Sequence, residues 1–151
     1  MINRWRLIKK DPSAEISEPI NPIVFWVENS TPEEIKPFVV EAIELWNIAF
    51  EKAGFKNAVV AKIQPDDAEW DAGDVQYNVI RWASTPSPRY SGYGPSVANP
   101  RTGEMIAADI VQEFNSISYG YRLRKIWGYD EDNDPLRPVS YTHLTLPTKQ
   151  M

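Results

Sequence analysis

Residues 81–109 decide the fold that the sequence predicts. Arg81-Trp82 ends an apolar run, a loop rich in Pro, Gly and aromatic residues follows, and Asn99-Pro-Arg-Thr-Gly-Glu-Met-Ile-Ala-Ala-Asp109 opens a second run. Within that stretch, Pro100-Arg-Thr-Gly103 has the composition of a tight turn. The order of strand, long loop, turn and strand predicts two sheet strands joined by a long connection.

Three further segments extend this sheet towards the N-terminus. Residues 23–27, Ile-Val-Phe-Trp-Val, form a short continuous apolar run, which is typical of a buried central strand. Residues 57–63 and 76–82 predict two more strands, and residues 103–114 predict the fourth. Because a helix separates the first two strands, we expect them to be parallel and joined by a right-handed crossover. The sequence therefore predicts an α/β (α+β) fold, a twisted mixed sheet of about four strands with one long helix packed on it.

The helix is predicted between residues 31 and 53. Thr31 offers an N-cap, Pro32 suits the first helical position, Glu34 completes a capping box, and Gly54 ends the helix. Pro37 conflicts with one unbroken helix because it has no N–H, so either the helix kinks there or its first turn is separate. The apolar stripe that should face the core consists of Ile35, Phe38, Val39, Ala42, Ile43, Trp46, Ala49, Phe50 and Ala53.

Composition sets limits on the class of protein. The chain has 151 residues, 42% of them hydrophobic and 25% charged, which is the size and balance of one globular domain. A net charge of −5 argues against a nucleic-acid partner, whose binding needs clustered Lys and Arg. The absence of cysteine excludes disulfides and thiolate metal sites. We expect no membrane span, since no apolar run approaches the ~20 residues that a bilayer requires.

Two loops suggest binding sites. The loop 64–74 carries the acidic residues Asp66, Asp67, Glu69, Asp71 and Asp74. Carboxylates are the ligands that Ca²⁺ takes, but their spacing fails the EF-hand template, and a solvated turn anchored by Trp70 is the favoured interpretation. The loop 82–93 combines Trp82, Tyr90 and Tyr93 with two Pro and Gly92, and Gly94 follows it directly. Such a loop can stack on sugars or grip peptides, or it can pack on its own domain.

The last thirteen residues, 139–151, differ in character from the rest. We interpret Val139-Ser-Tyr-Thr-His-Leu-Thr-Leu-Pro-Thr-Lys-Gln-Met151 as translated sequencing-adaptor sequence, and the alternative is a genuine polar tail with one short strand. His143, the only histidine of the chain, lies in this tail. A lone histidine cannot form a three-histidine zinc site, so the sequence supplies no catalytic residue and no metal ligand.

Seven short motifs follow one another in a specific order along residues 3–127. They are Trp46-Asn-x-Ala-Phe50, Ala53-Gly-Phe-Lys-Asn57, Trp70-x-x-Gly73-Asp74, Tyr77-Asn-Val-Ile-Arg-Trp82, Gly94-Pro-Ser96, Pro100-Arg-x-Gly-Glu104 and Ala108-Asp-Ile110. In this combination the chain resembles the part of a metzincin-type zinc metalloprotease domain that precedes the zinc-binding helix. More narrowly, it is similar to the large bacterial met-zincins with an Ecx-toxin-like catalytic domain. The zinc motif H-E-x-x-H-x-x-G-x-x-H is absent.

The resemblance implies that residues 1–138 are the N-terminal part of a metallopeptidase catalytic domain, truncated before its zinc site. In the parent enzyme, three histidines would hold zinc and a glutamate would take a proton from the attacking water. Zinc is thus implied for the parent, whereas this fragment is expected to bind no cofactor. The implied partners are a peptide or protein substrate and the missing C-terminal part of the same domain. An exported location, periplasmic, outer-membrane-associated or secreted, is also implied.

The resemblance also implies a cleft-edge role for the strand that begins at Gly103. A bound substrate would pair antiparallel with it by strand addition, and the small Ala107 and Ala108 would let another backbone approach. The alternatives are an interior strand without ligand, a ligand- or glycan-binding module that uses residues 82–93, and an interaction domain that displays residues 103–114. The predicted substrate-binding residues are Gly103, Met105, Ile106, Ala107 and Ala108.

Overall fold

A computed structural model describes residues 2–86, 89–115, 118 and 126. Five strands form a mixed sheet in the order β2-β1-β3-β7-β4, and β5 pairs with β6. The predicted α/β (α+β) fold class is therefore confirmed. Residues 139–151, with His143, lie outside the described residues. In chain order, the elements are β1 (Ile23–Val27), α1 (Lys36–Glu44), α2 (Asn47–Lys52), β2 (Val59–Ile63), β3 (Asn78–Ala83), β4 (Gly92–Tyr93), β5 (Ser96–Ala98), β6 (Met105–Ala108) and β7 (Ile110–Glu113).

The first half of the sheet is parallel. β1 pairs parallel with β2 and β3, and β3 pairs parallel with β7. The helices supply the crossover that parallel neighbours β1 and β2 need, as the sequence predicts. Phe25 and Val27 are fully buried on the side that carries Val39 and Ile43 of α1, so the main core lies between helix and sheet. Trp26 covers part of the opposite face, which explains why β1 is apolar throughout.

The helix begins at Lys36 and not near Thr31, so the predicted capping box was wrong. Pro37 occupies the first turn of α1, where a missing N–H costs no hydrogen bond. The preceding residues form a separate turn, in which the N–H of Ile35 donates to the carbonyl of Pro32 at 2.9 Å. Of the two alternatives that Pro37 left open, the separate first turn is confirmed.

The helical segment is interrupted between α1 and α2, at Leu45 and Trp46. Phe38, predicted as core, is 49% exposed, and Ala49 and Ala53 are exposed as well, so these three assignments were wrong. The predicted stripe spans too wide an arc for one sheet face to cover, and α2 contains no buried residue. Trp46 is partly buried and packs against the core, as predicted.

Residues 92–98 and 105–113 form one long antiparallel hairpin. The β4–β7 and β5–β6 ladders share one pairing register, because the two residue numbers of each pair add to the same value in both. The register shifts only after Val97. Between the ladders, the N–H of Asp109 donates to the carbonyl of Pro95 at 3.0 Å in the same register. Pro95 has no N–H to return, which accounts for the gap in the ladder. We call residues 92–98 the outer strand and residues 105–113 the inner strand.

One strand of the hairpin was predicted from the sequence and the other was not. The inner strand corresponds to the predicted fourth strand, whereas the outer strand lies where no strand was predicted. At the tip, the N–H of Gly103 donates to the carbonyl of Asn99 at 2.8 Å, and Gly103 has a φ of 73°. The side chain of Asn99 accepts the N–H of Arg101 at 2.9 Å. The predicted tight turn is therefore confirmed, with glycine at the left-handed position.

Candidate functional site

The predicted substrate-binding segment lies in the inner strand. Its residues do not share one environment, because side chains alternate along a strand. The structure buries two of them, leaves two half-buried and exposes one. Gly103 is buried, Ala107 is 5% exposed, Met105 and Ala108 are half-buried, and Ile106 is 54% exposed.

Backbone groups of this segment are engaged on the side away from the outer strand. The N–H of Met105 donates to the carbonyl of Arg4, and the N–H of Arg4 donates to the carbonyl of Gly103, both at 2.9 Å. The N–H of Ala108 donates to Oδ1 of Asn78 at 2.9 Å. Because β5 occupies the other side, the segment is flanked on both sides and is not the free sheet edge that substrate pairing requires.

The outer strand supplies the free edge instead. In the described part of the chain, β4 ends the sheet, and the residues from Gly92 to Val97 are exposed. The N–H of Glu113 donates to the carbonyl of Ser91, and that of Asp109 to Pro95. Since inward and outward groups alternate along an antiparallel strand, the N–H and C=O of the even-numbered residues 92, 94 and 96 point away from the sheet.

The residues whose backbone groups point outward are small, namely Gly92, Gly94 and Ser96. A Cβ added to Gly92 would lie 2.7 Å from the carbonyl oxygen of Val111, so only glycine fits there without a shift. Pro95 falls among the inward-facing positions, where its missing N–H leaves the outward side intact. Among the described residues, no strand pairs with the outward backbone donors and acceptors of the outer strand.

At the opposite edge of the sheet, a side chain bonds to the outward backbone groups of β2. Oδ1 of Asn47 accepts the N–H of Val59 at 2.9 Å, and Nδ2 of Asn47 donates to the carbonyl of the same residue at 2.9 Å. One side chain thus imitates a neighbouring strand and covers the start of this edge. Sequence reasoning missed Asn47, although a polar residue on the helix beside Trp46 was the available signal.

A cavity of about 320 Å³ lies against the outer strand. Tyr90 and Tyr93, exposed by 67% and 57%, form part of its wall, and their rings meet edge to face with centroids 6.4 Å apart. Glu113 lies at the cavity and is 6% exposed. The two exposed tyrosine rings are therefore the side chains that a ligand in this cavity would meet first.

Glu113 anchors the start of the aromatic loop. Its carboxylate accepts the N–H of Thr85 at 2.7 Å and the hydroxyl of Thr85 at 2.8 Å. The hydrogen bond from the N–H of Thr85 is the main reason why the pKa of Glu113 lies below its usual value. The loop is thereby tied to the inner strand at one end, while Tyr90 stands exposed further along.

The pKa of Asp109 is shifted in the opposite direction from that of Glu113. It lies between β6 and β7, where its Oδ1 accepts the N–H of Val79 at 3.4 Å. Burial raises the pKa of Asp109, and the hydrogen bond from Val79 and the charge of Arg81 offset part of that rise. Across residues 2–86, 89–115, 118 and 126, no group of three His, Cys, Asp or Glu is placed to hold a metal ion.

The acidic loop uses its carboxylates to build turns. Oδ1 of Asp71 accepts the N–H of Gly73 at 2.8 Å, and Oδ1 of Asp74 accepts the N–H of Gln76 at 3.0 Å. Trp70 stacks on Tyr77 with ring centroids 4.0 Å apart, and the ring of Trp26 contacts both edge-on. The predicted anchoring of this loop by Trp70 is confirmed.

The candidate site is thus the outer strand with its adjoining cavity. No helix in the described segments combines the length and apolar character needed to cross a membrane. No protein-family model, curated protein or solved structure matches this chain.

Proposed function

We propose that the chain is the N-terminal scaffold and substrate-cleft edge of a zinc-dependent metalloendopeptidase and that it hydrolyses no peptide by itself. The observation that supports this proposal most is the free, antiparallel outer strand with small residues along its outward side. The zinc ligands and the general base would come from sequence outside these residues, because the chain has one histidine and no cysteine.

Peptide binding at this edge would occur by strand addition. An extended substrate would exchange main-chain hydrogen bonds with residues 92, 94 and 96, and its alternate side chains would meet the surfaces on either side. The pairing edge differs from the one predicted from sequence. Residues 103–108 would support it from the inner strand, since Arg4 and Asn78 already engage their backbone.

A peptide titration tests this edge directly. The ¹⁵N-labelled full chain would be titrated with an extended Thr/Val octapeptide and, as a control, with the same peptide N-methylated at every second residue. We expect amide shifts in residues 92–98 with the first peptide only. Ser96→Pro, which removes an outward N–H, should weaken binding, and Ser96→Ala should not. Equal binding of both peptides, or shifts confined to residues 103–108, would contradict the pairing edge.

The enzymatic part of the proposal needs a separate test. The purified chain should retain no stoichiometric zinc after dialysis and should not cleave casein. Extending the gene downstream should reveal an H-E-x-x-H-x-x-G-x-x-H motif, and the longer protein should bind one zinc and cleave casein in a chelator-sensitive way. A downstream sequence without any such motif would remove the metalloendopeptidase assignment, even if the outer strand binds peptides.

A second candidate function is binding of a glycan by the aromatic loop. The cavity beside the outer strand and the two exposed tyrosines favour it, since aromatic faces can stack on sugar rings. Titration with methyl glycosides should then shift residues around Tyr90 and Tyr93. Tyr90→Ala should abolish this binding while Ser96→Pro leaves it unchanged, the reverse of the pattern expected for strand addition.

A further inference from the structure

A second apolar surface lies on the helical segment, away from the outer strand. Phe38, Leu45 and Ile48 are 49%, 49% and 60% exposed, and Ala49 beside them is also exposed. We call these four residues the helical patch. A shallow cavity of about 330 Å³ adjoins it and is bordered by Leu45, Ile48, Ala49 and the half-buried Trp46. Contiguous apolar surface of this kind marks an interaction site more often than scattered exposed residues do.

Carboxylates surround the helical patch. Glu41 lies three residues after Phe38 in α1, Glu51 lies three residues after Ile48 in α2, and Glu44 is the last residue of α1, directly before Leu45. Side chains three residues apart are neighbours on a helix surface, so Glu41 borders Phe38 and Glu51 borders Ile48. All three glutamates are exposed, and none forms a salt bridge with another described residue.

Positive charge is scarce on the same segment. Lys52 borders the cavity, whereas Lys36 is 5% exposed and is paired with Glu33. The exposed surface of residues 36–52 therefore combines apolar side chains with a net negative border. A partner that covers the patch has to match both properties, because an uncompensated like charge at an interface is unfavourable.

We propose that the helical patch docks an amphipathic helix of a partner protein that carries apolar anchors flanked by Lys or Arg. Helices dock on such surfaces through anchors spaced three, four and seven residues apart. The acidic border disfavours an anionic membrane surface, which it would repel. It equally disfavours a second copy of this chain, because the two borders of Glu41, Glu44 and Glu51 would face each other.

The proposed docking is independent of peptide binding at the outer strand. The core that includes Val39 and Ile43 of α1 lies over β1 and β2, whereas the outer strand is at the opposite end of the sheet. If one of the two surfaces proves not to bind its proposed ligand, the proposal for the other surface is unaffected.

The test uses synthetic helical peptides and the full chain. A fluorescent 18-residue peptide of Leu, Ala and Lys, with Leu along one face, would be compared by anisotropy with the same peptide carrying Glu for Lys. We expect the Lys peptide to bind and the Glu peptide to bind at least tenfold more weakly, since only the former complements the acidic border. Equal affinities would overturn the proposal without any protein variant.

Protein variants then locate the binding surface. Glu41→Lys combined with Glu44→Lys and Glu51→Lys should weaken the Lys peptide about tenfold or more and strengthen the Glu peptide. Asp66→Lys combined with Asp67→Lys and Glu69→Lys, in the exposed acidic loop, is the control with the same change of charge and should change neither. Ile48→Ser should weaken binding, with thermal unfolding showing that the fold persists. Unchanged binding by Ile48→Ser would overturn the proposal. So would binding to phosphatidylglycerol vesicles, or a dimer that Ile48→Ser dissociates, because each identifies a different occupant.

Discussion

The parallel part of the sheet and the hairpin at its edge are held together by different forces. Phe25, Val27, Val59 and Val79 in the parallel part are each less than 2% exposed. The outer strand, by contrast, exposes every residue from Gly92 to Val97, and its place is set by backbone pairing with the inner strand. Apolar burial thus stabilises the parallel part, while the hairpin ends the sheet in the described part of the chain and is held by backbone pairing.

Polar side chains connect the two regions. Nδ2 of Asn78 donates to the carbonyl of Val24 at 2.8 Å, and Oδ1 of the same side chain accepts the N–H of Ala108. Oδ1 of Asp109 accepts from Val79 in the parallel part. The bonds of Asn78 to Ala108 and of Asp109 to Val79 join the hairpin to β3, so removing either one separates the contributions of the two regions.

The largest contrast is expected between Phe25 and Tyr93. Phe25→Ala should lower the free energy of unfolding by about 3–5 kcal/mol, since it leaves a cavity in the core. Tyr93→Ala should cost less than about 0.5 kcal/mol, because the side chain is 57% exposed. Urea unfolding of both variants measures the difference, and similar losses would refute the division of the sheet into a packed core and an open edge.

Trp46 tests how far the core extends into the helical segment. Trp46→Ala should cost about 3 kcal/mol, because the indole packs on the core from the break between α1 and α2. Trp46→Phe should cost much less, since the indole Nε1 is buried with no hydrogen-bond partner among the described residues. A loss well under 1 kcal/mol for Trp46→Ala in urea unfolding would show that the indole lies outside the core.

Asn78 and Asn47 form a matched pair, because each side chain makes two backbone hydrogen bonds. Either Asn→Ala substitution should cost about 2 kcal/mol by leaving backbone groups unpaired. Asn78→Ala should in addition lower amide-exchange protection across residues 105–113, whereas Asn47→Ala should spare the hairpin and affect β2. Identical protection maps for the two variants would contradict the role of Asn78 as the connection between the regions.

Gly92 tests the closeness of the two strands of the hairpin. Gly92→Ala should cost about 1 kcal/mol, because the new Cβ would meet the carbonyl oxygen of Val111 at 2.7 Å. Ser96→Ala, on the same outward side, should cost less than about 0.5 kcal/mol. Thermal unfolding compares the two, and a Gly92→Ala variant as stable as the original chain would mean that the strands separate easily there.

The smallest expected effects come from Asp109 and Glu113, whose pKa shifts are opposite. Asp109 has a raised pKa, so its contribution to stability is present below its unfolded value of 3.8 and is lost as pH rises through the folded pKa. Glu113 has a lowered pKa, so its contribution is present above its unfolded value of 4.5 and is lost as pH falls through the folded pKa.

Urea unfolding from pH 3 to pH 7 separates these contributions. Asp109→Asn should remove the loss of stability that accompanies ionisation of Asp109, and Glu113→Gln should remove part of the loss in acid. Glu113→Gln should also be the more destabilising of the two at pH 7, because Glu113 binds Thr85 in its charged form. Matching pH profiles for the two variants would show that the environments of the carboxylates do not differ as described.

The elements that were predicted correctly from the sequence are those whose sequence pattern lies within a few neighbouring residues. The apolar run of β1, the helical periodicity before Gly54 and the turn at Gly103 each depend on neighbouring residues. The helix start was predicted too early because Thr31 and Glu34 have the spacing of a capping box. In the structure, residues 32–35 form a separate turn, and α1 begins next to Pro37. The outer strand was missed because Gly, Pro and Ser carry little strand propensity.

By itself the sequence determined the α/β (α+β) class, the parallel pair β1 and β2, the tight turn at Gly103 and the absence of a cysteine or three-histidine metal site. Only the tertiary structure decided which strand of the hairpin is the free edge and that Arg4 and Asn78 engage the backbone of the other. It also decided that Phe38 faces outward. The reason is that propensity and periodicity act over a few residues, whereas strand order and exposure depend on partners tens of residues away.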